Sequence, residues 1–158
     1  MNKERYKLNL LGKGITKIFS KDENRMNNLE VAAFKINNYV VAPGEIFSFN
    51  KVLGERTLKN GYKLAESIDN GKIVKTVGGG ICQVSTTLNI ALNNVGVEII
   101  ERHHHSAPVN YANKKEEAAV AYGTLDYRFK NTTDKSLIIK ANIDQNNMKV
   151  VVEIYEEM

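Results

Sequence analysis

One cysteine, Cys82, and one run of three histidines, His103-His104-His105, are the side chains in this chain best suited to covalent chemistry. Cys82 follows Gly78-Gly79-Gly80 and Ile81. Glycines allow positive φ and close approach of a ligand to the backbone. Beyond them Ile81, Val84, Leu88, Ala91, Leu92 and Val95 recur at helical spacing. The thiol therefore falls at a helix N-terminus, where free N–H groups and the helix dipole favour a thiolate, the nucleophilic form of cysteine. The same N–H groups can hold the oxyanion of a tetrahedral intermediate. Gly78, Gly79, Gly80 and the N–H of Cys82 or Gln83 are the candidates for that site. Gln83, Ser85 and Thr86 are candidate substrate contacts, with helix capping and core lining as equal alternatives.

A nucleophilic thiol needs a base. The histidines lie at and just past the end of residues 97–103, which read as a strand returning from the Cys82 helix. In an extended segment His103 and His105 share one face and His104 takes the other, so either of the pair can reach back to Cys82. A third group should orient the imidazole; Glu101, Asp126, Tyr122 and Ser106 are the polar candidates. Two blander readings compete: a lone cysteine is commonly a small buried hydrophobe, and a histidine run a surface cluster. The coincidence of glycine turn, helix start and histidines favours the nucleophile. Zinc held by His103, His105, Cys82 and a carboxylate is the rival chemistry, but a zinc ligand has no need of a glycine-led helix. No metal and no cofactor are expected.

The elements that must position these groups follow from periodicity. Met26, Leu29, Ala32, Ala33 and Ile36 mark an amphipathic helix over 24–37, capped by Asp22 or Asn24 and stopped by Asn37-Asn38. After the Pro43-Gly44 turn, residues 45–49 alternate as a short strand. Residues 62–68 and 72–77 flank Asn70-Gly71 as a hairpin. The glycine-led helix over 81–94 comes next, and then strands over 97–103, 118–130, 136–143 and 149–155. Short polar turns between the last strands favour antiparallel pairing. With helices early and strands late, the class is α+β: one domain, residues 1–158, with the Cys82 helix buried against a mostly antiparallel sheet.

A chain of 158 residues with 42% hydrophobic residues can close one core. The net charge of +4 is carried by scattered lysines and arginines with no block longer than Lys114-Lys115, so nucleic acid is not an expected partner. No apolar run is long enough for a membrane span. Met1 to Lys7 leads into a short mixed stretch, not a signal core. Either the protein stays inside the cell, or the sequence is a piece of a longer chain with leader and anchor upstream.

Several segments together resemble the VanW family, from about residue 11 to 140. They are Pro43-Gly44-Glu45-Ile46-Phe47-Ser48-Phe49-Asn50, Gly61-Tyr62, Val77 through Leu88 around Cys82, Glu101-Arg102-His103-His104-His105-Ser106, and Ala121-Tyr122-Gly123-Thr124-Leu125-Asp126. The family commonly has proline where His104 stands and often aspartate where Glu117 stands. The first difference makes His103 and His105 the meaningful pair. The resemblance implies L,D-transpeptidase activity on peptidoglycan stem peptides with Cys82 as nucleophile, an extracytoplasmic or cell-wall location, and a link to glycopeptide resistance; a cysteine peptidoglycan endopeptidase or carboxypeptidase, and a non-catalytic module that binds wall peptides, are the alternative readings.

Overall fold

The computed structural model describes residues 7–158; the N-terminal segment read above for a leader lies almost wholly outside them. Strand β1 (Leu8–Lys17) leads into helix α1 (Glu23–Ile36), and the short strands β2 (Tyr39–Val41) and β3 (Ile46–Ser48) precede helix α2 (Phe49–Leu53). The hairpin β4 (Leu64–Asp69) and β5 (Lys72–Val77) precedes helix α3 (Cys82–Leu92). Strands β6 (Glu98–Glu101), β7 (Arg128–Lys130), β8 (Leu137–Asp144) and β9 (Lys149–Glu157) complete the chain. Three antiparallel sheets result, in the orders β1-β9-β8-β2, β3-β7-β6 and β4-β5. The class is α+β, a single small domain.

The four-stranded sheet carries the core. In β9 Val150, Val152 and Ile154 are fully buried, and in β8 Ile139, Ala141 and Ile143 face the same interior, the period-two pattern of a sheet covered on one side. That side is covered by α1, against β8, and α3, against β1 and β9. Helix α1 is capped by Asp22, whose side chain accepts the Asn24 N–H at 3.1 Å. Its buried stripe is Leu29, Ala32, Ala33 and Ile36. Each fully buried Leu, Ile or Val of this layer contributes about 1.5–3 kcal/mol. Phe47 and Phe129 stack at 5.1 Å between centroids across the β3–β7 pair.

Three expectations need correction. The described residues open with a strand, not a helix: β1 hides its pattern because Gly12 and Gly14 lie directly on α3, where a Cβ at Gly14 would come within 2.9 Å of the Ala91 nitrogen. The strand expected over 45–49 ends at Ser48, whose Oγ accepts the Lys51 N–H at 3.2 Å and caps α2. The strand expected over 118–130 is strand only at Arg128–Lys130, with a single bridge between Ala121 and Leu125. Of the residues before it, Glu116, Ala118 and Val120 take backbone partners from α3 side chains, while the Ala119 N–H donates to the His103 carbonyl.

Candidate active site

Over its first two turns α3 is enclosed on every side: Gln83, Val84, Ser85, Thr86, Thr87 and Leu88 are all buried. Four of these are polar, and a buried polar group left unpaired costs about 1–3 kcal/mol. Each has a partner. Gln83 Nε2 donates to Thr16 Oγ1 at 3.0 Å and to the Lys17 carbonyl at 2.9 Å. Its Oε1 accepts from Arg25 Nη2 at 2.7 Å. Thr87 Oγ1 lies 2.8 Å from Thr16 Oγ1. Ser85 Oγ donates to the Ala118 carbonyl at 2.5 Å, while Thr86 Oγ1 accepts the Ala118 N–H at 3.0 Å. Asn89 Nδ2 adds a bond to the Glu116 carbonyl at 3.0 Å. An irregular strip of chain, 116–120, is thereby fastened along the helix.

That strip brings two groups to the thiol. The half-buried Cys82 Sγ sits between the Val120 N–H and the Val120 carbonyl, each 3.4 Å away. Glu117, 2% exposed, accepts from His105 Nδ1 at 2.6 Å and from the His105 backbone N–H at 3.3 Å. A carboxylate can only accept, so Nδ1 carries the proton and Nε2 is left for the thiol. Burial opposes charge on the imidazole, but the neighbouring Cys82, and then Glu117, outweigh it and raise the His105 pKa above the ordinary histidine value. Tyr111 stands edge-on to the imidazole, its Oη 3.5 Å from Nε2. Burial first, and the charge of Cys82 second, raise its pKa, so it remains a neutral phenol.

The glycine turn has the conformation its composition requires, with φ of +94° at Gly78 and +102° at Gly80. Its own hydrogen bonds use the N–H groups of Gly79, Ile81 and Gln83, bonded to the carbonyls of Thr76, Gly78 and Gly80. The N–H groups of Gly80 and Cys82 have no acceptor among the described residues. A cleft of about 320 Å³ opens here, lined by Gly80, Cys82, His105 and Tyr111, by Arg25 of α1, and by Glu66, Ile68 and Ile73 of the hairpin. The hairpin is held to the rest by Asn28, whose Nδ2 donates to the Lys63 and Gly79 carbonyls at 2.8 and 2.9 Å. Ser106 Oγ also accepts the Gly71 N–H at its tip, at 2.8 Å.

Of the residues singled out in the sequence, Cys82, His105 and Gly80 line the cleft together; Gly79, an expected oxyanion donor, does not, because its N–H is spent on the Thr76 carbonyl and its Cα packs against the Ala65 backbone. His103 does not join them: its Nε2 lies 2.8 Å from Glu101 Oε2. Glu101 also accepts the Asp126 N–H at 2.9 Å and Arg128 Nε at 3.0 Å. The Asp126 N–H first, then His103 and Arg128, pull the Glu101 pKa down to about 2. Asp126 accepts from Ser48 Oγ at 2.5 Å and the Asn50 N–H at 2.9 Å, fixing the β3–α2 corner. Tyr122 is half-exposed beneath the Arg56 guanidinium, 5.8 Å from its ring centre. None of these three bonds the His105 ring, which is held by Glu117 instead. Glu117 stands in no periodic element; its signals are an acidic residue directly before the apolar Ala118-Ala119-Val120 and the aspartate that the resembled family often has at this position. Gln83, Ser85 and Thr86 lie behind the cleft, supporting its walls. The four-ligand zinc set does not assemble, since His103 and His105 bond different carboxylates.

Fold and site together define an α+β domain with a cysteine at a glycine-led helix start, facing a carboxylate-bound histidine. Residues 24–155 match the family described as VanW like protein, and the chain belongs to the VanW family. It is 41% identical over 131 residues to the uncharacterized protein YoaR of Bacillus subtilis (strain 168), covering 83% of this chain and 43% of that protein. It is 29% identical over 140 residues to the vancomycin B-type resistance protein VanW of Enterococcus faecalis (strain ATCC 700802 / V583), covering 85% of this chain and 50% of that protein. The chain thus spans half or less of the length of these relatives. No solved structure matches it.

Proposed function

We propose that the chain is a cysteine acyltransferase of the cell wall, an L,D-transpeptidase that joins peptidoglycan stem peptides through a thioester on Cys82. The observation that carries this reading is the order Glu117–His105–Cys82 at one end of an open cleft. Glu117 fixes the tautomer, His105 Nε2 takes the thiol proton, and the sulfur attacks the carbonyl carbon of the L-centred third residue of a tetrapeptide stem. The oxyanion is received by the N–H groups of Gly80 and Cys82, the two that the turn leaves without acceptors. Collapse breaks the C–N bond, and His105 returns its proton to the departing D-alanine nitrogen. An amine of a second stem then attacks the thioester carbonyl and gives a proton to His105. The C–S bond breaks, leaving a 3-3 cross-link and the free sulfur. Membership of the family that includes a vancomycin B-type resistance protein supports a role at the wall and in the response to glycopeptides.

Intact-mass measurement after exposure to a carbapenem tests the nucleophile. A stoichiometric adduct that disappears in Cys82→Ser is expected; an adduct that survives the substitution refutes it. Muropeptide analysis after incubation with stems tests the acceptor: new dimers support transfer, and shortened stems without dimers assign the same thioester to hydrolysis.

A further inference from the structure

The cleft holds a cation, Arg25, that forms no salt bridge among the described residues, although Asp22 and Glu66 line the same cleft. Arg25, on α1, lines it beside Cys82 and Tyr111. Its Nη2 is held by Gln83 at 2.7 Å, and Gln83 is itself 1% exposed and fixed by Thr16 and the Lys17 carbonyl. The aliphatic part is fixed from the other side, since a Cβ at Gly80 would lie 2.8 Å from Arg25 Cγ. The guanidinium makes no salt bridge, and its Nη1 is shielded from water with no partner among the described residues. Burial lowers its pKa, against the charges of Tyr111, Asp22 and Cys82. Cations removed from water are ordinarily paired. A guanidinium positioned by two layers of side chains, with one donor nitrogen unpaired and no carboxylate in direct contact, suits an anion supplied from outside, and its planar donors suit a carboxylate.

We infer that Arg25 is a specificity-determining residue that binds the free terminal carboxylate of the residue released from the donor peptide. The inference rests on the acyl-transfer reading. The carboxylate carbon of a terminal residue is three bonds from the carbonyl carbon that Cys82 attacks, so an anion anchor beside the sulfur is in the right place to read it. Pro108 to Tyr111, which belong to no helix or strand, line the same cleft as Arg25. The substrate class is then narrowed: peptides whose scissile bond lies one residue from a free C-terminus are accepted, and peptides extended or amidated there are not.

The test compares a synthetic tetrapeptide stem ending in D-alanine with its C-terminal amide. Binding is measured by calorimetry to the Cys82→Ala protein, which needs no turnover. The acid should bind on the order of 100-fold more tightly than the amide, as expected for a buried charge pair, and Arg25→Gln should bring the ratio towards one. Arg25→Lys, which keeps charge without the planar fork, should retain part of it. Equal binding of acid and amide by the otherwise unchanged site overturns the inference, as does an acid preference that survives Arg25→Gln. Failure of the acyl-transfer reading looks different: the acid preference is present, yet the wild-type protein forms no thioester with the tetrapeptide.

Discussion

Replacing Glu117 by glutamine keeps the shape of the side chain and removes its charge from the imidazole. The bond at stake is 2.6 Å long, and its acceptor is 2% exposed, so solvent screening does little to weaken it. Hydrogen bonds to charged groups contribute about 1.5–3 kcal/mol. At about 1.4 kcal/mol per decade, loss of that stabilisation of the imidazolium predicts a roughly 10- to 150-fold slower reaction of Cys82. The assay is the second-order rate of Cys82 alkylation by iodoacetamide across pH, followed by intact mass. The rate near neutrality should fall, and the profile should move to higher pH because His105 becomes a weaker base. Glu101→Gln serves as the control: its carboxylate bonds His103 and Arg128, so alkylation should not change. Unaltered alkylation in Glu117→Gln, or equal slowing in both variants, refutes the assignment of Glu117 to His105.

Asn28→Ala strands the Lys63 and Gly79 carbonyls and the Lys63 N–H, which should cost about 3 kcal/mol in urea unfolding and speed amide exchange in β4–β5. Gly14→Ala pushes a methyl into the α3 backbone at Thr87 and Ala91 and should destabilise by about 1–3 kcal/mol in the same measurement; an unchanged midpoint would contradict the close β1–α3 contact. Because the folded-state pKa of His105 is raised, its contribution to stability is complete below the unfolded value of about 6.5 and is lost as pH rises through the raised value. Urea midpoints of the wild type should therefore decline on the alkaline side more than those of His105→Gln, and parallel pH dependences would count against the raised pKa.

Both long helices and the β4–β5 hairpin were legible in the sequence because their patterns are local. The stripe of α1 repeats at three and four residues, and Asn70-Gly71 supplies the turn with φ of +48° and +75°. Strand β1 was not legible, since two of its inward positions are glycines chosen for contact with α3 and carry no hydrophobic signal. Cys82 and the pair His103/His105 were legible by residue type. The choice between the two histidines was not, because period-two parity places them alike while the chain leaves extended geometry after Glu101. Glu117 was hidden for a related reason: its position depends on bonds from Ser85, Thr86 and Asn89, none of which leaves a periodic trace in the sequence around it.

These bonds also explain why a helix so rich in buried hydroxyls and amides stands at the centre of the domain. An apolar helix would pack on β1 and β9 equally well, but it would have nothing with which to hold a strip that lacks sheet partners. The polar side chains of α3 divide the work by direction. Gln83 reaches towards β1 and fixes Arg25 at one wall of the cleft, whereas Ser85, Thr86 and Asn89 reach the other way and fix the strip bearing Glu117 and Val120. Cys82 begins the same helix, so the distances from sulfur to imidazole support and from sulfur to guanidinium are set by one rigid element. Placement within such tolerance is what effective acyl transfer demands. On the acyl-transfer proposal, substitutions of Gln83, Ser85 or Thr86, which lie outside the cleft lining, should therefore disturb the chemistry through geometry.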